Sequence, residues 1–365
     1  MSAPIASTPA QAVQPLHAAR GQTLTLSTRS DRLFFGDSGH GIARYDQVRY
    51  PQLLKLNEKM QSFYWRPVEI DVSMERKDFE RMTDAERFVF TSNLRRQIVL
   101  DSIQGRSPSM VFLPHVTDPA LENCVVTWGF FETIHSESYT HIIRSVYADP
   151  GEVFDGIPDV QPIVDCSVAI RAAYDRMIAN PTKENLYLAL VAANALEGLR
   201  FYLSFSNTFS FAERGLVEGS AKINKLIARD ENQHLAVTQT AIKLAQAEDP
   251  EFRQIVLDNA AQAREIFAET AAQEKSWGRY ILSKGSLLGF SEAIFDRYVD
   301  YLDDKRQVSI GLRASRKFSK QDHPIPWVEK WFKNDNVQVA PQEVEISSYL
   351  SNHVIDDAAA AKFSL

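Results

Sequence analysis

Two segments of the chain repeat one pattern, a glutamate followed three positions later by a histidine. Glu132 and His135 form the first pair, within ETIHSESY, and Glu231 and His234 form the second, within ENQH. Positions i and i+3 of an α-helix share one face, and apolar residues flank the first pair. Burying carboxylates and imidazoles costs several kcal/mol unless something compensates them. Any fold of this chain must supply that compensation.

Each pair is preceded, about thirty residues earlier, by an acid set among apolar residues. Asp101 lies in IVLDSIQG and Glu197 lies in AANALEGLRFYL. Four inward carboxylates and two imidazoles would repel one another in one bundle, but two divalent cations accept these groups as ligands. One acid on each of two helices, with Glu-x-x-His on two others, is typical of di-iron and di-manganese bundles. The predicted ligands are Asp101, Glu132, His135, Glu197, Glu231 and His234.

The rest of the sequence predicts a large all-α domain, a helical bundle around this dinuclear site. Glycine is scarce (15 residues), and no useful period-2 strand pattern occurs. Thr83 to Glu86 form a capping-box signature, and Asp118 with Pro119 predicts another helix start. Helices are expected over 46–64, 84–105, 119–148, 163–178, 182–212, 216–246, 251–275 and 291–313. We expect a helical domain over 31–336, a flexible leader over 1–30 and a flexible tail over 337–365.

Composition excludes several classes of function. The net charge is −7 and no dense Lys/Arg run occurs, which disfavours direct binding of nucleic acid. No apolar run approaches the length of a membrane span. The two cysteines, Cys124 and Cys166, form no CxxC pair, which argues against a cysteine zinc site and a disulfide scaffold. Together these features favour a cytoplasmic protein.

Tyr139 lies four positions after His135 and therefore on the same helix face, close to the expected metals. By position alone, a core tyrosine with a satisfied hydroxyl is the simpler interpretation. The alternative is a tyrosine that the metal centre oxidises to a radical. Phe201, Phe205 and Ile227 are phased to face the same centre, where they would exclude water or simply form core.

Longer motifs extend the comparison beyond spacing. DSIQGRSP, ETIHSESYTHIIR, ALEGLRFYLSF, ARDENQHL, HPIPW and NVQVAPQEVEISSYL resemble the β subunit of class Ia ribonucleotide reductase, over about residues 33–350. The resemblance implies a ferritin-like helical bundle and a homodimer with an oxo-bridged di-iron site, for which manganese is a possible substitute. It also implies a stable tyrosyl radical and a separate large (α) subunit. Together the two subunits would reduce ribonucleoside diphosphates to deoxyribonucleotides.

The same resemblance assigns roles to single residues. Tyr139 falls at the radical tyrosine, and Phe201, Phe205 and Ile227 fall at its apolar pocket. Trp65 and Asp230 match the residues that carry the radical near the metals. Without the resemblance, the simpler interpretation is a core aromatic residue for Trp65 and a solvent-exposed helix residue for Asp230. In the tail, Tyr349 matches the relaying tyrosine and Glu343 its neighbouring acid. The end of the tail would bind the α subunit.

Three other functions compete with this interpretation. A ferritin-like ferroxidase or iron-storage protein shares the bundle but does not explain Trp65, Tyr139 or Tyr349. A di-metal oxidase or oxygenase is a second alternative, although Asp101 is a less common ligand there than glutamate. A non-catalytic helical scaffold would leave six inward ionisable groups without purpose. Metal content together with a radical assay separates these alternatives.

Overall fold

The computed structural model describes residues 31–36, 42–312, 316 and 318–333. Thirteen α-helices lie within these ranges. They are α1 Pro51–Gln61, α2 Glu75–Arg81, α3 Asp84–Gln104, α4 Pro119–Val146, α5 Gly151–Asp155, α6 Gln161–Ala179, α7 Lys183–Ala195, α8 Tyr202–Ala212, α9 Glu218–Glu248, α10 Pro250–Asp258, α11 Ala260–Ile281, α12 Glu292–Ser309 and α13 Glu329–Phe332. Wider π-helical turns occupy Pro108–Phe112 and Leu196–Arg200.

Side-chain caps fix the starts of the two helices that carry the first half of the site. The Thr83 hydroxyl accepts a hydrogen bond from the Glu86 amide (3.3 Å), and the Glu86 carboxylate accepts one from the Thr83 amide (2.9 Å). Asp118 accepts hydrogen bonds from the first amides of α4. Both predicted helix starts are confirmed, because these caps satisfy amides that have no partner within the helix.

Three predicted helix boundaries are wrong. The first helix begins at Pro51 rather than residue 46, because a residue before proline is driven away from helical geometry. The predicted helix over 182–212 is interrupted by the π-helical turn Leu196–Arg200. The predicted helix over 251–275 is two helices, α10 and α11, which meet at Asn259 and continue to residue 281.

One run, Lys183–Ala212, is long and apolar enough to cross a membrane, but 94% of its most apolar window is buried inside the protein. It is therefore a core element of the bundle. Among the described residues, extended pairing is limited to an isolated bridge between Phe34 and Val116. Both cysteines, Cys124 and Cys166, are buried and free.

The described chain ends at residue 333, after an aromatic contact between α13 and α8. Trp331 stacks on Phe209 with ring centroids 4.8 Å apart, and its indole N–H donates to Glu213 (2.7 Å). The predicted leader, residues 1–30, and the predicted tail, residues 337–365, lie outside the described residues. The domain limits stay a prediction.

Candidate metal centre

Six buried side chains from α3, α4, the Leu196–Arg200 turn and α9 meet in the core of the bundle. They form two groups of four, and within each group the candidate ligand atoms all lie within 4.8 Å of one another. The first group is Asp101, Glu132, His135 and Glu231; the second is Glu132, Glu197, Glu231 and His234. Glu132 and Glu231 belong to both groups. The side chains selected by spacing are thus brought together as two adjoining sites.

The histidines face the shared carboxylates through their Nδ1 atoms. His135 Nδ1 lies 3.3 Å from Glu231 Oε1 and 3.7 Å from Glu132 Oε2. His234 Nδ1 lies 2.9 Å from Glu231 Oε2 and 3.2 Å from Glu132 Oε1. The two imidazole rings are 5.8 Å apart between centroids. Both rings and both shared carboxylates are fully buried.

The charges in this cluster shift one another's pKa values in opposite directions. Burial lowers the pKa of His135, but contacts with Asp230, Glu132 and Glu231 more than offset it and raise the pKa well above its usual value. His234 behaves alike, with Glu132, Glu197 and Glu231 as its partners. Without a cation, the carboxylates therefore hold protons on both imidazoles.

The acids divide into two kinds. Burial raises the pKa of Asp101 and of Glu197, and the charges of Glu132 and Glu231, respectively, raise them further. Burial also acts on Glu231, but its contacts with Glu197 and His135 outweigh burial and lower its pKa. In the metal-free cluster, Asp101 and Glu197 thus favour the protonated form and Glu231 the ionised form, which limits repulsion between like charges. A bound cation would reduce that repulsion directly.

Many of these ligand atoms have no hydrogen-bond partner among the described residues. They are both oxygens of Asp101, both of Glu197, Glu132 Oε2, Glu231 Oε1 and His135 Nδ1. Buried polar atoms are rarely left unpartnered in folded proteins. Carboxylate oxygens and imidazole nitrogens are a donor set that suits iron, manganese and zinc. The residues therefore fit two divalent cations.

Glu197 reaches the cluster from the π-helical turn Leu196–Arg200. Single π-turns inside helices are rare and often occur at functional sites. Gly198 follows directly, and a Cβ there would lie 2.9 Å from Arg306 Cδ. The Arg306 Nε in turn donates to the Gly198 carbonyl (3.0 Å). The glycine therefore lets α12 pack tightly against the turn that presents Glu197.

Tyr139 is fully buried on α4, one turn after His135. Its hydroxyl makes no hydrogen bond of standard geometry among the described residues, but it interacts with the carboxylate of the candidate ligand Asp101, so its position fits both the core and the radical interpretation. Burial raises the pKa of Tyr139 well above 10, and the charge of Asp101 raises it further. The phenol therefore stays protonated in the folded chain.

The three predicted pocket residues, Phe201, Phe205 and Ile227, are all fully buried. The rings of Phe201 and Phe205 stack with centroids 5.6 Å apart and planes 10° from parallel. Phe201, just before α8, Phe205 on α8 and Ile227 on α9 thus belong to the buried core. Their action as a shield for Tyr139 stays a prediction.

Trp65 and Asp230 form a buried connection to the first histidine. The Trp65 indole N–H donates to Asp230 Oδ2 (2.8 Å), and the same oxygen lies 3.3 Å from His135 Nε2. Asp230 is 2% exposed, so the expectation of a solvated helix residue is wrong. Arg229 donates to the other oxygen of Asp230 (3.1 Å). An acid placed in this way fixes which imidazole nitrogen is free for a metal.

Sequence reasoning missed a second tryptophan at the cluster. The indole N–H of Trp128 donates to Glu132 Oε1 (2.9 Å), and its ring lies 5.4 Å from that of His234. His234 therefore adjoins a tryptophan that donates to a carboxylate, whereas Trp65 is connected to His135 through Asp230. The signal was available, since Trp128 precedes Glu132 by four positions and shares its helix face. The predicted tail residues, Glu343 and Tyr349, lie outside the described residues.

Comparison with known proteins identifies the family. The sequence model described as "Ribonucleotide reductase, small chain" matches residues 43–324. The chain is 43% identical over 357 residues to the ribonucleoside-diphosphate reductase 1 subunit beta of Salmonella typhimurium, covering 90% of this chain and 94% of the relative. The chain belongs to the ribonucleotide reductase small chain family. A more distant member, from Enterobacteria phage T4, is 37% identical over 90% of this chain and 93% of its own length.

Solved structures show the same fold for this small chain. The ribonucleotide reductase R2 subunit from Clostridium botulinum superposes with a TM-score of 0.77 at 24% identity, over 83% of this chain and 95% of that one. The dimanganese(II)-NrdF of Streptococcus sanguinis superposes with a TM-score of 0.69 at 19% identity, over 80% and 98%. The predicted all-α, ferritin-like bundle is thereby confirmed.

Proposed function

We propose that this small chain is the radical-generating β subunit of a class I ribonucleoside-diphosphate reductase. Its metal centre would produce a stable radical at Tyr139, which a large α subunit uses to reduce ribonucleoside diphosphates to deoxyribonucleotides. The observation that carries the proposal is the position of Tyr139, fully buried and one helical turn beyond a histidine of a six-residue cation cluster. Family membership supports it.

Iron is the cation that we propose, with manganese as the possible substitute. Asp101 and His135 would hold one ion and Glu197 and His234 the other, with Glu132 and Glu231 shared between them. When bound, a di-iron centre supplies the capacity to reduce dioxygen and to oxidise a neighbouring phenol. The donor set accepts both metals, so availability and assembly decide which is bound.

The chain's own residues would prepare Tyr139 for this role. Burial keeps the phenol protonated, so its oxidation removes one electron and one proton. Phe201, Phe205 and Ile227 would keep water and reductants away from the resulting radical. Residues that exclude solvent prevent side reactions of a reactive intermediate.

Trp65, Asp230 and His135 would carry the oxidising equivalent out of the bundle. Their hydrogen bonds, 2.8 Å and 3.3 Å long, form a continuous connection from the cluster to α1's C-terminal side. Beyond it, Tyr349 with Glu343 would relay the radical toward a cysteine of the α subunit. The substrate chemistry would lie in the α subunit, since this chain's cysteines, Cys124 and Cys166, are both buried and separate.

The remaining features of the proposal concern assembly. We propose a homodimer, a large α subunit bound through the C-terminal tail, and a cytoplasmic location. The acidic net charge of −7 supports a protein without direct nucleic-acid contacts. Within the described residues, the apolar run Lys183–Ala212 is buried in the bundle, which supports its role as a core element rather than a membrane span.

Turnover with the large subunit tests the proposal. The iron-loaded chain is mixed with the class I large subunit from the same source, a ribonucleoside diphosphate and a dithiol reductant. We expect a deoxyribonucleoside diphosphate, and we expect none from Tyr139→Phe loaded with the same amount of iron. Equal turnover by the two proteins would reject the radical role of Tyr139 while leaving the metal centre in place.

A further inference from the structure

The two acids that belong to one candidate metal site each lack the support that the shared acids have. Both shared acids, Glu132 and Glu231, have hydrogen-bond partners within the cluster. The oxygens of Asp101 and Glu197 make no hydrogen bond of standard geometry among the described residues. The positions of these two carboxylates therefore depend on the elements that carry them, α3 and the turn Leu196–Arg200.

Two buried arginines fasten these elements to α11, a helix that contributes none of the six candidate ligands. Arg96 of α3 and Arg200, the last residue of the turn, are 1% and 3% exposed. Arg96 Nη2 donates to Oε1 of Glu274, a fully buried carboxylate of α11, and Arg200 Nη1 lies 3.8 Å from the same oxygen. Two guanidinium groups from different elements thus meet at one carboxylate.

Further contacts bind both arginines at the same place. Arg200 Nη1 donates to Gln273 Oε1 (2.8 Å), and its Nη2 donates to Thr270 Oγ1 (3.2 Å). Thr270, Gln273 and Glu274 occupy positions i, i+3 and i+4 of α11, so they share one face of that helix. The sulfur of Cys166, from α6, contacts both guanidinium groups, at 3.1 Å and 3.9 Å. One face of α11 therefore holds both ligand-bearing elements.

The spacing of each arginine from its neighbouring acid lets these contacts set the position of the acid. Arg96 precedes Asp101 by five positions of α3, which is about 140° around the helix and about 7.5 Å along it. Its contact with α11 therefore fixes the rotation and the height of α3, and these decide where the Asp101 carboxylate lies. Arg200 follows Glu197 by three positions within the same turn, so its contacts fix the end of that turn. Densely packed interiors transmit such constraints.

We infer that Arg96 and Arg200 are positioning residues, each for one site of the metal centre, with α11 as their common support. Arg96 sets the site that contains Asp101, and Arg200 sets the site that contains Glu197. The inference rests on the metal centre of the proposed function and not on a radical at Tyr139. A contribution to the stability of the core alone would affect both sites alike, whereas a positioning role predicts that each arginine acts on one site more than on the other.

The test measures Mn²⁺ binding at each site separately, by anomalous diffraction from crystals over a series of limiting Mn²⁺ concentrations. Arg96→Met and Arg200→Met each remove one guanidinium group, and Arg96→Lys and Arg200→Lys keep the charge should a methionine variant fail to fold. Lys275→Met is the matched control, because it removes a cation of α11 that pairs with Asp300 of α12 (2.7 Å) instead of a ligand-bearing element. Burial raises the pKa of Glu274 to about 7, although both arginines lower it. The crystals are therefore kept at about pH 8, where that carboxylate is mostly ionised.

We expect Arg96→Met to weaken Mn²⁺ binding about tenfold at the site that contains Asp101, the lower end of the loss when a ligand loses its support. Arg200→Met should cause a similar loss at the site that contains Glu197. In each variant the other site should change much less, the lysine variants should show the same preference with smaller losses, and Lys275→Met should match the wild type. Equal losses at both sites, no loss at either, or the same loss in Lys275→Met would overturn the inference. A wild-type protein that binds no Mn²⁺ would overturn the metal centre itself, and the proposed function with it.

Discussion

At the scale of single residues, the cluster consists of ionisable groups that are costly to bury. Bound cations would compensate that cost. Asp101 and Glu197 are ionisable acids whose oxygens make no hydrogen bond of standard geometry among the described residues, and they share a fully buried core with two imidazoles. The fixed spacing of Glu132 with His135, and of Glu231 with His234, made these residues predictable from sequence. Trp128 was missed although it shares a helix face with Glu132, because that spacing alone does not distinguish a hydrogen-bond donor from a core tryptophan.

Trp128 gives a prediction about metal affinity. Trp128→Phe removes the indole donor to Glu132 Oε1, which otherwise orients a shared ligand. Loss of such a supporting hydrogen bond typically lowers metal affinity about 10–100-fold. Competition titration with Mn²⁺ against a chelating dye would measure the change. Trp277→Phe is the control, since the Trp277 indole N–H is buried without a partner among the described residues; an equal loss there would contradict the assigned role.

The histidines predict how metal binding depends on pH. Because neighbouring carboxylates raise the pKa of His135 and His234, the metal-free protein holds imidazolium at neutral pH. Metal must displace those protons, so we expect proton release on binding and an apparent affinity that rises with pH until the imidazoles are neutral. Calorimetry of Mn²⁺ binding in buffers of different ionisation enthalpy counts the protons. Binding without proton release would show that the imidazoles are already neutral.

At the scale of elements, helix starts were more predictable than helix interruptions. The caps at Thr83 and Asp118 are local hydrogen bonds between residues close in sequence, so the helix starts can be predicted from these residue types. The π-turn at Glu197 leaves no such mark, because ALEGLRF reads as continuous helix and tertiary packing against Arg306 accompanies the wider turn. The break at Asn259 is likewise invisible to apolar periodicity, which continues from α10 into α11.

Gly198 provides a prediction about that turn. In Gly198→Ala, the new Cβ would lie 2.9–3.0 Å from three atoms of Arg306, so either Arg306 or the turn must move. We expect overpacking to lower the free energy of unfolding by about 1–3 kcal/mol and to weaken the site that contains Glu197 more than its neighbour. Metal titration should then show two unequal binding steps.

Gly129→Ala is the matched control, because its Cβ would meet only ordinary contacts at 3.7 Å on α4. Helix propensity predicts an unchanged or higher stability there, by up to about 1 kcal/mol. If Gly198→Ala also left stability and both metal affinities unchanged, the turn would not depend on the missing side chain.

At the scale of the whole molecule, the buried ionisable groups of the cluster destabilise the folded bundle when no metal is bound. Apolar periodicity and capping signals predicted a large helical domain, because long amphipathic helices bury their apolar faces by packing together in a bundle. Which acids lie inward was also predictable, since each is surrounded by apolar residues. The buried positions of Asn93 and Gln97 on α3 and of Asn207 on α8 were not, because no spacing pattern in either helix marks these amides as inward.

Metal removal exposes this instability. Burial and the charge of Glu132 raise the pKa of Asp101 above its value in the unfolded chain, so its ionisation weakens the metal-free fold as pH rises through that raised pKa. We expect Asp101→Asn to unfold at higher denaturant concentration than the wild type in chelator, by about 1–3 kcal/mol for a buried group of this kind.

With metal added, the order should reverse. Saturating metal stabilises a folded protein by about 2.7 kcal/mol for each site at one hundred times its dissociation constant, and Asp101→Asn would forfeit much of this at one site. Urea unfolding with chelator and with excess Mn²⁺ measures both differences. A variant that is less stable than the wild type in chelator would show that the carboxylate is not under strain in the metal-free fold.

The most direct measurement of the central claim is electron paramagnetic resonance on metal-free protein reloaded with ferrous iron and exposed to oxygen. The account predicts a persistent tyrosyl signal in the wild type and in Tyr187→Phe, a buried tyrosine away from the cluster, and no such signal in Tyr139→Phe at equal iron content. Iron oxidation without a radical in the wild type, or a persistent signal in Tyr139→Phe, would contradict it. The first outcome would favour a ferroxidase or an oxidase, and the second would move the radical to another residue.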